Sequence, residues 1–189
     1  MTMTTPFRTR LLRLCFILMV LIGLTACQIS PALNRIFASQ ITTQDLPSGF
    51  RRYGAQIKDI PEAEGRLFIF YTTDSQMTSN VSEELYVYKT VDAARKSYDA
   101  WVDSEIPPHA ANSWITPKEL VFTGRADQMR VACLPGVVNS QSNHACGAIG
   151  RYGDTIVILR GIVIEPWLTM ADFRRLLEAM DRRIVAAMK

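Results

Sequence analysis

The chain has 189 residues, 48% of them hydrophobic, with 21 basic and 18 acidic side chains, which is enough for one domain with a core of its own. The excess of positive charge is local: Arg8, Arg10 and Arg13 precede Cys27 and no acidic residue does, so the chain from Cys27 onward carries 18 of each sign. A balanced chain lacks the surplus cations that displace counterions from phosphates, and nucleic acid is therefore excluded as an expected partner.

The N-terminal stretch runs from those three arginines through the apolar segment Leu14–Leu24 to Leu24-Thr25-Ala26-Cys27, the basic-then-apolar order of an export signal. It resembles the lipobox of bacterial lipoprotein precursors. There, a cysteine thiol takes a diacylglyceryl group, a peptidase cuts before it, and the new amine is usually acylated. Leu24 fits the apolar anchor, Thr25 and Ala26 are small enough for a peptidase to approach, and Cys27 supplies the thiol. The resemblance implies that residues 1–26 are a removable signal peptide, that Cys27 carries lipid, and that the mature protein is extracytoplasmic, held on the cell membrane or the outer membrane. Two or three acyl chains, at ~0.8 kcal/mol per buried methylene, make a stable anchor. Ordinary signal cleavage fits less well because Leu24 occupies the −3 position. An uncleaved span needs roughly 20 apolar residues, and this run meets Cys27 and Gln28 too soon.

Residues 27–44, with Pro31 and several Ser and Thr, read as a lipid-anchored tether containing one short helix-capable run, 32–37. The folded domain is expected over 45–189, opening at the turn Leu46-Pro47-Ser48-Gly49-Phe50. A weak strand comes next at 51–58, then a strong aromatic one at 66–72. A third, at 84–89, puts Leu85 and Val87 on one face and Tyr86 and Tyr88 on the other. Thr90 is placed to cap a helix to about Ser104, with Val91, Ala94, Tyr98, Trp101 and Val102 as its apolar stripe. Pro107-Pro108 ends it, and a linker to Pro117 carries Trp114.

The second half holds Lys118–Phe122, strands around Cys133 and Cys146, a turn at Tyr152-Gly153-Asp154, and the β-branched run 154–164. Thr169 and Asp172 form a capping-box pattern ahead of the stripe Phe173, Leu176, Leu177, Met180, Ile184 and Met188. Arg174, Arg175, Arg182 and Arg183 fall on the other side of that helix, as a solvated face. The expected fold is a single α+β domain: an antiparallel sheet of about five to seven strands packed with two helices, both on one face. The element order allows two similar halves, without a residue-level repeat to support duplication.

With Cys15 in the signal and Cys27 lipidated, Cys133 and Cys146 are expected to form a disulfide across a turn-rich loop. A metal site from Cys133, His144 and Cys146 is the competing reading; it lacks the CxxC spacing of structural zinc, and no metal is expected. His109 and His144 have no neighbouring carboxylate in sequence, and no GxSxG, SxxK, GxGxxG, Walker, HExxH or EF-hand pattern occurs. Glu83 and Glu84 are adjacent on a strand and so point to opposite faces. No catalytic residue and no cofactor is expected. Trp114 and Trp167, both in proline-bearing loops, are the candidate ligand-binding residues.

Leu46–Phe50, the helix from Val91 through Trp101, the strand Arg151–Val157 and the closing amphipathic helix together resemble small bacterial envelope lipoproteins. These include PsbP-like domains and the extracytoplasmic sensor domains of some bacterial kinases. The likeness implies an antiparallel sheet flanked by helices and transfers no functional residue. The expected function is a non-catalytic module binding an envelope ligand or protein partner. The alternative is an envelope hydrolase or transferase whose site assembles from scattered residues.

Overall fold

A strand that is apolar on both faces must be covered on both, and the central strands of this chain are of that kind. The computed structural model describes residues 30–57, 62–74, 78–107, 114–138 and 141–189. The chain divides into two compact units, Met1–Pro31 and Ala32–Lys189, and the fold described here is that of the second. Its elements are α1 (Pro31–Ser39), β1 (Arg51–Ile57), β2 (Ala63–Thr72), β3 (Asn80–Tyr88), α2 (Val91–Glu105), a 3-10 turn (Lys118–Leu120), β4 (Gln128–Val138), β5 (Gln141–Tyr152), β6 (Thr155–Val163) and α3 (Met170–Ala187). Among the described residues, six strands form one antiparallel sheet in the order β1-β2-β3-β6-β5-β4. This is the α+β class and sheet type that the sequence predicts.

β3 and β6 lie at the centre, and their residues are buried along almost their whole length. On the first face, Leu85 and Val87 of β3 and Val157 and Leu159 of β6 pack with Leu67 and Ile69 of β2 under α1 and α3. On the second, Tyr86, Tyr88, Ile156 and Ile158 pack with Ile149 under Ala94 and Tyr98 of α2. The expectation that both long helices share one face is thus corrected. α2 and α3 cover opposite faces, because the alternation in β3 and β6 is apolar with apolar and leaves no face for water. A twofold exchanging the antiparallel β3 and β6 would run normal to the sheet and keep both helices on one side. The two βββα halves therefore match in order but not in hand.

The tether reading is also corrected from Pro31 onward. α1 belongs to the core: Ala32 and Ile36 are buried, and Ile41 beyond it is fully buried. Gly65 makes this possible, since a Cβ there would stand 3.1 Å from Ile36 Cδ1 and 3.2 Å from Leu33 Cδ2. Nine residues of helix are too few for periodicity to stand out among serines and threonines, and α1 is held by docking rather than by propensity.

Local signals operate as expected elsewhere. Thr90 caps α2 by accepting from the Ala93 N–H, and Thr169 with Asp172 makes a reciprocal capping box on α3. Gly153 takes a φ of 57° in the β5–β6 turn, a conformation that favours glycine. Within the Lys118–Phe122 segment, Lys118–Leu120 forms a 3-10 turn. Among the described residues no helix is long and apolar enough to cross a membrane.

Candidate functional site

On the second face, beyond the end of α2, the described residues leave the sheet uncovered and form a cleft of about 200 Å³. Ile158 and Ile162 of β6 and Ala145 and Gly147 of β5 line it from below, Ile106 and Trp114 from the side, and Asn80, Ser82, Glu105 and Arg160 supply its polar edge. Trp114 is held there by its neighbours: Ile115 exchanges two backbone hydrogen bonds with Cys133 of β4, at 3.0 and 2.7 Å, and the Thr116 hydroxyl donates to the Val131 carbonyl at 2.7 Å. The end of α2 is fixed by Arg130, whose Nε donates to the Ile106 carbonyl at 3.0 Å.

Beneath the cleft runs an ion-pair network. Arg160 Nε donates to Glu105 Oε2 at 2.8 Å, and its Nη1 donates to Glu84 Oε1 at 2.7 Å. The other oxygen of Glu84 accepts from Arg66 through both Nε and Nη2, and from the Tyr86 hydroxyl at 2.5 Å. Arg66 also lies over the Tyr86 ring, 5.2 Å from its centroid. Burial pushes the Glu84 carboxyl up, but the hydrogen bonds from Tyr86, Arg66 and Arg160 outweigh it and hold the group below its ordinary range. Burial and then Glu84 push the Tyr86 phenol up, so it stays a donor. Two guanidinium and two carboxylate groups cancel, and the cleft carries no unbalanced charge from this network.

On the opposite face Glu83 is fully buried. Its Oε2 accepts the Ile41 N–H at 2.8 Å, while Oε1 has no partner among the described residues. Burial pushes this carboxyl up to about 8, against the smaller pull of the Ile41 N–H and Arg183. Next to it the Tyr71 hydroxyl donates to the Ile41 carbonyl at 2.7 Å, and burial raises that phenol to about 12.

Of the two candidate tryptophans, the structure brings Trp114 into the cleft and leaves Trp167 out of it. Trp167 lies in the turn before α3, 43% exposed, with its N–H on the Ile164 carbonyl. Cys133 and Cys146 face one another across β4 and β5 and are joined by a disulfide. His144 is half-buried on β5, and no group of three His, Cys, Asp or Glu among the described residues is placed to hold a metal ion. Cys27 and His109 lie outside the described residues. The basic side of α3 is largely paired: Arg174 with Glu178, Arg175 with Asp172, and Arg183 with Asp45.

Glu84, Glu105 and Arg160 are site residues that the sequence reading passes over. For two of them the signal was a charge inside a buried strand, Glu84 in β3 and Arg160 in β6, whereas Glu105 closes α2 and carried none. Only the β3–β6 register, with Ser82 opposite Arg160 and Glu84 opposite Ile158, turns those two charges into diagonal neighbours.

No protein-family model matches this chain, and no curated protein sequence does. Among solved structures it is similar to the extracellular domain of PknH from Mycobacterium tuberculosis, with a TM-score of 0.52 at 9% identity, over 83% of this chain and 97% of that one. At that identity the likeness is one of fold and carries no residue across. What the two share is the antiparallel sheet flanked by helices, the arrangement that the resemblance drawn from the sequence implies.

Proposed function

We propose that this chain is an extracytoplasmic binding module, held at a membrane by lipid on Cys27, whose cleft takes the uncharged, partly apolar end of an envelope ligand without converting it. The observation that carries the reading is the cleft itself. It sets the Trp114 ring and isoleucine side chains beside a polar edge whose charges are already matched. An anion would compete with Glu84 and Glu105 for Arg160, and a cation would meet carboxylates already engaged. A neutral molecule with one apolar face and a few hydroxyl or amide groups suits both walls. Glu84 accepts from two guanidinium groups and the Tyr86 hydroxyl, which hold its carboxyl below its ordinary range and make it a weak base, and this favours binding over hydrolysis.

The test is tryptophan fluorescence and thermal shift of the protein against N-acetylglucosamine, its disaccharide and octyl glucoside. Saturable binding that is lost in Trp114→Ala and kept in Trp167→Ala supports the reading. Binding indifferent to Trp114, or turnover of any of these probes, overturns it. The anchor is tested separately: intact mass of membrane-extracted protein should show loss of residues 1–26 with acyl additions, and Cys27→Ser should accumulate as precursor.

A further inference from the structure

The direction in which the cleft faces is set by where the chain enters the fold. The strands run between two ends of the sheet. At one lie the β1–β2 connection after Ile57, the β3–α2 corner at Lys89-Thr90, and the β5–β6 turn at Gly153-Asp154. α1 begins at this end, with Leu33 and Ile36 against Gly65 and Arg35 paired to Asp154 at 2.9 Å. It then leads toward the other end, where the Ile41 N–H and carbonyl meet Glu83 and Tyr71. That other end holds the cleft, marked by Asn80 at the start of β3, Ile162 near the end of β6 and Ala145 on β5. From Tyr88 to Asn80 the strand makes eight residue steps, or ~26 Å at ~3.3 Å per residue.

Cys27 lies five residues before Ala32, the first residue of the folded unit. Even fully extended, five residues span no more than ~18 Å. A lipid on Cys27 therefore holds the α1 end of the sheet near the headgroups, and its reach is shorter than the distance to the cleft end. The α1 end carries three large apolar side chains already exposed to water at its rim: Ile57 at 52%, Val91 at 44% and Met188, beside Gly153, at 42%. Lys89, next to Thr90, is exposed there as well. Such side chains, with Lys89 beside them, can sit at the boundary between headgroups and acyl chains while the ammonium stays in water; Ile115 and Trp167 are as exposed at the cleft end, so it is the reach of the tether that selects the α1 end.

We infer that the end of the sheet bearing Ile57, Lys89, Val91 and Met188 rests on the bilayer, and that the Trp114 cleft opens away from it. This rests on the proposal that Cys27 is lipidated. Its consequence for that proposal is that the cleft samples molecules above the membrane rather than lipids in the leaflet that holds the anchor.

The experiment uses full-length protein purified from membranes and reconstituted in vesicles of phosphatidylethanolamine and phosphatidylglycerol containing a lipid with a nitroxide on its headgroup. Val91→Cys and Trp167→Cys, at exposed positions on opposite ends, are each labelled with a small fluorophore, and an intact mass spectrum of the same sample records the acyl chains. The fluorophore at 91 is expected to be quenched several-fold more than that at 167. Acylated protein whose two positions quench equally, or in the reverse order, overturns the orientation while leaving the anchor standing. Protein without acyl chains that fails to float with the vesicles removes the anchor, and the orientation with it. Ile57→Cys serves as a second α1-end position should the Val91 variant fold poorly; strong quenching at 167 but not at 57 would again overturn the inference.

Discussion

Replacing Glu83 by glutamine should reverse the sign of its effect on stability with pH. In the fold this carboxyl keeps its proton up to about pH 8, against an ordinary value of 4.5, because burial disfavours the ion. A group whose folded value lies above its unfolded one contributes stability that is fully present below the unfolded value and is lost as pH rises through the folded one. The window here runs from 4.5 to about 8. Each unit within it is worth ~1.4 kcal/mol, so the native protein should lose up to roughly 5 kcal/mol across it through this one residue. Glutamine does not titrate and still accepts the Ile41 N–H, but it places an amide where Oε1 has no partner, at a cost of ~1–3 kcal/mol. The variant should be the less stable protein near pH 4.5, equal near pH 6 by this balance, and more stable by a few kcal/mol at pH 8. Urea unfolding of both full-length proteins at pH 5, 6, 7 and 8 measures the difference, in which the titration of all other groups largely cancels. A difference that stays constant over that range would refute the reasoning, since it would mean that Glu83 titrates alike in both states. Glu83→Leu gives the control: it strands the Ile41 N–H and should be destabilised relative to Glu83→Gln with no change of slope.

Other consequences rest on single contacts. Arg160→Met removes the cation shared by Glu84 and Glu105; it should cost ~1–3 kcal/mol at neutral pH, below the ~3–5 kcal/mol of breaking a fully buried pair because Arg160 is 30% exposed. Because Glu84 is held below its ordinary range, its contribution is present above that range and lost as pH falls, so the same variant should differ less from the native protein at pH 3; paired unfolding curves at pH 7 and 3 check this. Gly65→Val drives branched atoms into space held by Ile36 and Leu33, at 3.1 and 3.2 Å, and should cost ~1–3 kcal/mol with hydrogen exchange rising first over 32–41. Thr169→Ala breaks the capping box of α3 and should cost ~1 kcal/mol, read as a shift in the urea midpoint with an unchanged slope.

The parts of the fold that could be read from sequence are those set by neighbours in the chain. Thr90 and Thr169 cap helices through groups three residues away, and Gly153 turns a hairpin through its own φ. Cys133 and Cys146 meet because the hairpin between them is continuous. What escaped were relations between distant segments. The stripe Phe173–Ile184 states that α3 buries one face, but nothing in it distinguishes one side of a sheet from the other. α1 escaped for a related reason, since the residue that admits it is Gly65, about thirty positions away, and a glycine in a strand carries no mark of what leans on it.

The site divides along the same line. Trp114 was legible because a tryptophan among prolines and turn residues has no stripe to join, and its position comes from the local bridge of Ile115 to Cys133. Trp167 has the same local signature and lies outside the cleft, so the signature selects loop aromatics and cannot choose among them. The choice is made by the β3–β6 pairing, which brings Glu84 and Arg160 together beneath the open end of α2. Charges in buried strands are costly unless matched, so the glutamates of β3 and the single Arg of β6 each ask for a partner. Had the two strands been assumed adjacent on that ground, the Arg160 side of the sheet would have been the first place to look for a cleft. The same argument applied to Glu83, which finds only the Ile41 N–H among the described residues, identifies a buried carboxyl whose proton should govern the stability of the fold.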